Sequence, residues 1–303
     1  MAQQIIRVAH SPDSDDAFMF YALAEGKIDT GNLRYQHELS DIESLNRRAL
    51  TGDLEVTAVS IHAYAYLAER YALLNSGSSM GDRYGPRLVS AAPRACDPAT
   101  ERPSGAGGDS AARESFRAAR PEEVRGKRIA VPGKLTTAYL ALKLFQPDFV
   151  EVVVPFDQIE ARVRQGEVDL GLLIHEGQLT YQDDGFHLWA DLGEWWYGET
   201  GLPLPLGGNV VRRDLGPTII QQVARDLKAS IVYALEHRGP ALEHAKRFNR
   251  GIGDEKTDRF VGMYVNEWTV DYGDRGRAAV RELLARGHRA GLIPHEVMVE
   301  FVG

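Results

Sequence analysis

The segment Gly171-Leu172-Leu173-Ile174-His175-Glu176-Gly177-Gln178 is an apolar run that stops at a histidine, a carboxylate and a glycine. Such a run reads as a buried strand over residues 168–174, with the glycine as a turn just past it. A histidine at the C-terminal tip of a buried strand stands where open α/β sheets place their ligands. Its imidazole also changes protonation state near neutral pH without help from its surroundings. His175 is therefore a candidate general base. A structural histidine that caps the strand end by hydrogen bonding is the other reading, and the pattern alone leaves both open. Glu176 can orient His175 or act as a second acid. Adjacent side chains on an extended backbone diverge, however, which favours a solvated turn carboxylate.

Other polar residues fall at predicted helix starts. Ser11, Ser60, Thr136 and Thr137 each follow a strand-like run, so each hydroxyl can cap a helix, hold a ligand, or do both. At Thr136-Thr137 the free N–H groups of a first helical turn suit an anionic ligand group, and plain N-capping by one of the two is compatible with that. Asp13, Asp15 and Asp16 can bind a metal, but a run of this kind more often caps a helix and complements its dipole. Asn209 follows two glycines that permit close backbone approach, so its amide can face a ligand or sit in a turn. His10, His62 and His175 are scattered and fit no short zinc-ligand spacing. Trp195, Trp196 and Tyr197 read first as packing aromatics.

The elements that must position these residues alternate. Strands are predicted at 5–10, 33–37, 56–60, 127–131, 151–154 and 168–174. Helices are predicted at 16–25, 41–50, from 61 to about 71, from 136 onward and at 159–165. Strands alternating with helices imply parallel sheets. A strand at 87–92 leaves the first unit. The segment 202–211 returns to it, and its two prolines suit a crossover rather than a central strand. From 218 onward the chain reads as helical. This order gives two α/β lobes, 1–87 plus 208–303 and 88–207, joined by two crossovers around a cleft. Residues 93–121 are rich in proline, glycine and small residues and read as a flexible insertion with a short helix near 110–119.

The bulk composition narrows the function classes. The chain has 303 residues, 44% of them hydrophobic, with 35 Lys plus Arg against 43 Asp plus Glu and a net charge of −8. A chain this acidic is not expected to bind nucleic acid. An anionic ligand must be held by local donors rather than by long-range attraction. The single cysteine, Cys96, excludes an internal disulfide and a cysteine-based zinc site. No signal peptide or membrane span is apparent, so a cytoplasmic location is expected.

Four segments resemble a known family. They are Ser11-Pro12-Asp13-Ser14-Asp15-Asp16-Ala17-Phe18-Met19-Phe20, Val131-Pro132-Gly133-Lys134-Leu135-Thr136-Thr137-Ala138-Tyr139-Leu140, Ile174-His175-Glu176-Gly177-Gln178-Leu179-Thr180-Tyr181 and Leu202-Pro203-Leu204-Pro205-Leu206-Gly207-Gly208-Asn209. Together, and in this order, they resemble the 1,4-dihydroxy-6-naphthoate synthases of the futalosine route to menaquinone. The resemblance implies an α/β, two-lobed, periplasmic-binding-protein-like (type II) fold with a central cleft. It implies a lyase that converts cyclic dehypoxanthinylfutalosine, a small-molecule carboxylate, to 1,4-dihydroxy-6-naphthoate and releases dihydroxyacetone, with no metal or organic cofactor. The family's catalytic histidine falls on His175, which favours the general-base reading there. Its substrate contacts fall on Ala58, Val59 and Ser60 and on Thr136 and Thr137. Residues 93–121 depart from the family by their length. Two rivals remain: a small-anion binding protein without chemistry, and the related chorismate-dehydrating enzyme, in which this His-Glu-Gly-Gln segment is not expected.

Overall fold

The structure, a computed structural model, describes residues 3–93, 119–248 and 253–303. Cys96 and most of the predicted insertion, with its helix near 110–119, lie outside the described residues.

The chain opens with β1 (Gln4–His10), α1 (Ser14–Met19), α2 (Tyr21–Ala24), β2 (Leu33–Leu39), α3 (Ile42–Thr51), β3 (Val56–Ser60), α4 (Ile61–Tyr64), β4 (Tyr71–Leu74) and β5 (Ser79–Gly81). It crosses to β6 (Arg87–Ser90), α5 (Pro121–Val124), β7 (Arg128–Val131), α6 (Thr137–Phe145), β8 (Val150–Val153), α7 (Ile159–Arg164), β9 (Leu170–Leu173), α8 (Gly177–Thr180), β10 (His187–Asp191) and α9 (Leu192–Thr200). It returns through β11 (Leu204–Arg212) to α10 (Pro217–Glu236), α11 (Arg238–Ala245), α12 (Asp254–Tyr264), α13 (Glu267–Val270), α14 (Gly273–Arg289) and β12 (Phe301–Val302).

Two sheets result. One has seven strands in the order β12-β4-β11-β3-β1-β2, with β5 also paired to β11. The other has five in the order β10-β6-β9-β7-β8. The expectation of parallel sheets needs correction. Strands β1, β2 and β3 are parallel, as are β7, β8 and β9, and β12 runs parallel to β4. The crossover strands β6 and β11 run antiparallel to their neighbours. A strand that carries the chain from one sheet to the other enters without a βαβ turn, so nothing forces it parallel.

Strand β11 also corrects the reading of its prolines. It is central, between β3 and β4, although it contains Pro205. Pro205 sits where β11 pairs with the short β5 and the register shifts before Gly207, so a missing N–H costs no regular ladder bond. Two further boundaries move. The helix predicted from 61 to about 71 stops at Tyr64, because Tyr71 begins the buried β4. The helix predicted over 16–25 is broken at Phe20 into α1 and α2.

The helices pack by their apolar faces. In α14 the buried set is Gly276, Ala279, Val280, Leu283, Leu284 and Gly287, a stripe at three- and four-residue spacing. Each fully buried leucine of this kind stabilises by roughly 1.5–3 kcal/mol. Leu283 and Leu284 belong to a core that runs on through Leu140 of α6 and Trp196 of α9, so one apolar body reaches from α14 to the helices of the second sheet. A second core lies under α1, α2, α10 and α11, on the face of β1. No helix among the described residues is long and apolar enough to cross a membrane.

Candidate active site

The C-terminal ends of β1, β3, β7 and β9 lead to Ser11, Ser60, Thr136 and His175. These four residues, with Ala58, Val59, Thr137 and Asn209, line one cleft that is partly open to solvent. Ala58 of β3 stands opposite Asn209 of β11 in the ladder, so the sheet itself forms that wall.

His175 does not continue β9. The strand ends at Leu173, and His175 and Glu176 form a turn before α8 opens at Gly177, where a simple turn had been expected. His175 has a backbone φ of 57°, in the left-handed region. Non-glycine residues there store about 1–3 kcal/mol of strain, and such residues cluster at functional sites. Nδ1 of the ring lies 2.8 Å from Oδ2 of Asp13. The rings of Phe156 and His175 meet in a T-shaped contact with centroids 5.0 Å apart.

Asp13 occupies the N-cap position of α1, yet its carboxylate makes no capping bond, contrary to the capping expectation. It accepts instead from the Ser11 hydroxyl at 2.7 Å and faces His175. Asp16 accepts from the Ser11 N–H at 2.8 Å. Asp15 is buried beside Asp16, Asp13 and Glu176, and burial together with those like charges pushes its carboxyl well above the usual range. Asp16 is also raised, by burial, with the Ser11 N–H opposing. Glu176 is not a solvated turn residue. It is 3% exposed, and Ser14 Oγ donates to it at 3.4 Å.

The hydroxyls divide their work. Thr136 caps α6, accepting from Tyr139 N at 3.2 Å while donating to Gly133 O at 2.8 Å. Thr137 Oγ1 accepts from His62 N at 3.1 Å. Thr136, Thr137 and Ala138, at the start of this nine-residue helix, line the cleft. Ser60 stands at the N-cap of α4 without capping it, because Asn46 holds both its N–H, at 2.8 Å, and its Oγ, at 3.1 Å. Asn209 lies inside β11 rather than in a turn. Its Nδ2 donates to Gly77 O at 2.9 Å and its buried Oδ1 has no partner among the described residues. Gly77 has φ of 82°, and a Cβ there would stand 2.4 Å from Asn209 Nδ2, so only glycine allows this contact.

The three histidines do not converge. His10 stacks on Phe20, 4.4 Å between centroids, and meets His37, while His62 faces Thr136 O. Burial lowers both His10 and His62 to about 4. Among the described residues no group of three or more His, Cys, Asp or Glu is placed to hold a metal. Trp196 is buried, with Nε1 on Pro203 O, and none of Trp195, Trp196 and Tyr197 lines the cleft. Sequence reasoning missed Gln178 and Tyr264, which do line it and are bonded to each other. It also missed Asp13 as the partner of His175. The acidic loop was visible, but a contact between loops on different sheets has no local signal.

The paired sheets and the cleft between them define the class: a two-lobed, periplasmic-binding-protein-like fold. An alkanesulfonate-binding protein from Xanthomonas axonopodis pv. citri, solved with MOPS bound, shares it with a TM-score of 0.67 at 12% identity, covering 99% of this chain and 98% of that one. Residues 6–289 match the family described as menaquinone biosynthesis. A 1,4-dihydroxy-6-naphtoate synthase from Thermus thermophilus is 37% identical over 289 residues, 95% of this chain and 96% of that protein. A solved structure from Archaeoglobus fulgidus is 43% identical with a TM-score of 0.84, covering 95% of this chain and 98% of that one. The chain thus belongs to the menaquinone biosynthesis family of 1,4-dihydroxy-6-naphthoate synthases, and it is an enzyme of the lyase class.

Proposed function

We propose that the protein converts cyclic dehypoxanthinylfutalosine to 1,4-dihydroxy-6-naphthoate with release of dihydroxyacetone, and that His175 is the general base. The observation that carries this reading is His175 itself, held in a left-handed turn at a strand tip and lining a cleft with Ser11, Thr136 and Thr137. With Nδ1 directed at Asp13, the basic lone pair of the neutral ring is on Nε2. Nε2 takes a proton from a substrate hydroxyl or C–H. The electron pair released drives cleavage of a carbon–carbon bond as the ring system becomes aromatic, and the proton passes to the departing three-carbon fragment. All substrate atoms are shared between the two products. General-base catalysis of this kind is worth roughly 100- to 10,000-fold.

The substrate carboxylate is assigned to the start of α6, at Thr136 and Thr137, where backbone N–H groups and the helix dipole favour an anion. Ser11, Ala58, Val59, Ser60 and Asn209 form the walls that orient the remainder. Asp15, whose carboxyl is pushed up by burial and by its acidic neighbours, is suited to donate to a substrate oxygen when it carries a proton. The proposed lobes, 1–87 plus 208–303 and 88–207, are supported by the sheets, one built from β1 to β5 with β11 and β12 and the other from β6 to β10. The reaction is assigned to the cytoplasm, which an acidic chain with a single cysteine suits.

The test is to incubate the purified protein with cyclic dehypoxanthinylfutalosine and detect naphthoate and dihydroxyacetone in equal amounts. His175→Ala, shown to be folded, should lose turnover. Near wild-type turnover in that variant ends the assignment.

A further inference from the structure

The side chain that meets His175 comes from the other sheet. Asp13 follows β1 of the seven-stranded sheet, and His175 follows β9 of the five-stranded one. Their contact, Nδ1 to Oδ2 at 2.8 Å, spans the gap between the sheets. Asp13 is 1% exposed, and the same Oδ2 accepts from the Ser11 hydroxyl at 2.7 Å, so the carboxylate is oriented before it reaches the ring. Phe156 also packs against the imidazole in a T-shaped contact with centroids 5.0 Å apart.

We propose that Asp13 is the positioning residue of the base. It fixes the Nδ1–H tautomer of His175, keeps Nε2 as the basic atom, and stabilises the imidazolium that forms when the ring takes up a proton. The proposal rests on the reading of His175 as the base. A neutral imidazole carries its proton on one nitrogen, and the hydrogen bond made by that nitrogen decides which one. A buried carboxylate accepts and never donates while ionised, so facing Nδ1 it selects Nδ1–H. An arrangement of this type loses orders of magnitude in turnover when the carboxylate becomes an amide, because the amide no longer enforces the tautomer or balances the cation.

Steady-state kinetics of Asp13→Asn, His175→Gln and the double variant test this. Asp13→Asn should lower kcat by about 100-fold or more with KM changed by no more than about threefold. A residue acting only through His175 adds nothing once the imidazole is gone, so the double variant should match His175→Gln. The proposal is overturned if Asp13→Asn keeps kcat within about threefold of wild type while His175→Gln is inactive, or if the double variant is slower than His175→Gln by the full Asp13→Asn factor. Failure of the underlying reading looks different: wild type forms no naphthoate, or His175→Gln turns over normally. A measurement on the wild-type chain guards against poor folding of the Asp13 variant. In ¹⁵N spectra of the histidine rings, the resonance missing from His175→Gln should be the Nδ1–H form at neutral pH. An Nε2–H form for that ring overturns the proposal.

Discussion

Tyr264 donates its phenolic proton to Gln178 Oε1 at 2.6 Å, joining the end of α12 to the short helix that follows His175. Both side chains are buried and both line the cleft. Burial holds the Tyr264 hydroxyl in its protonated form, so it is the donor to Gln178. Tyr264→Phe leaves the Gln178 oxygen without this donor. The expected cost is about 1–3 kcal/mol of stability, measured by urea unfolding, with KM raised several-fold. A variant with both quantities unchanged shows that this bond supports neither fold nor site.

His175→Asn separates the two demands on that position. Asparagine tolerates the left-handed region, so stability should stay within about 1 kcal/mol of wild type while turnover falls by about 100-fold or more. His175→Val should be equally inactive and less stable by about 1–3 kcal/mol, because a β-branched residue resists this backbone conformation. Equal stability of the two variants in thermal unfolding counts against stored strain at residue 175.

Thr136 and Thr137 should respond differently. Thr136→Val removes the cap of α6 and should cost about 1 kcal/mol. The pair Thr136→Val and Thr137→Val together should raise KM about tenfold with little change in kcat, because ground-state and transition-state binding are lost equally. An unchanged KM makes both threonines structural.

Stability should depend on pH through the buried histidines. His10 and His62 are lowered to about 4 in the folded chain, from an ordinary value of 6.5. Between those values the unfolded chain binds more protons than the folded one, so stability falls as pH falls through that window, by about 2 kcal/mol per histidine at pH 5. Asp15 and Asp16, raised by burial, act with the opposite sign: the folded chain keeps protons that the unfolded chain has released, which favours folding as pH falls toward the ordinary aspartate range. His62→Gln removes one histidine contribution and leaves the aspartates. Its urea midpoint should drop less than that of wild type between pH 7 and pH 5. Parallel drops exclude His62 as a source of the slope.

Much of the site was legible because its signals are local. Strand tips followed by hydroxyls, and an apolar run ending in histidine, are short patterns, and Ser11, Ser60, Thr136 and His175 all reach the cleft. What failed was non-local. Strand β4 carries no strand signal beyond the helix predicted to end near Tyr71, because Tyr71-Ala72-Leu73-Leu74 is apolar without alternation and burial on both faces erases the period that marks a strand. Pro205 argued against a central strand, and only the short β5 beside it shows why the proline is tolerated. Asp13 and Glu176 were assigned to solvent-facing or capping duties, since local rules cannot see that a second sheet closes over both. The family resemblance, carried by long ordered segments rather than by any spacing, named Ala58 and Val59, two wall residues with no chemical signature of their own.

Among the described residues, the cleft is lined by three aspartates and by no lysine or arginine, in a chain of net charge −8. An anionic guest therefore approaches against a field of its own sign and is caught only by dipoles that act over a few ångströms. Background electrolyte shortens the reach of that field. Added salt, which weakens most proteins that grip anions with cationic side chains, should quicken arrival here, and in its absence the same repulsion hastens departure of a negatively charged product.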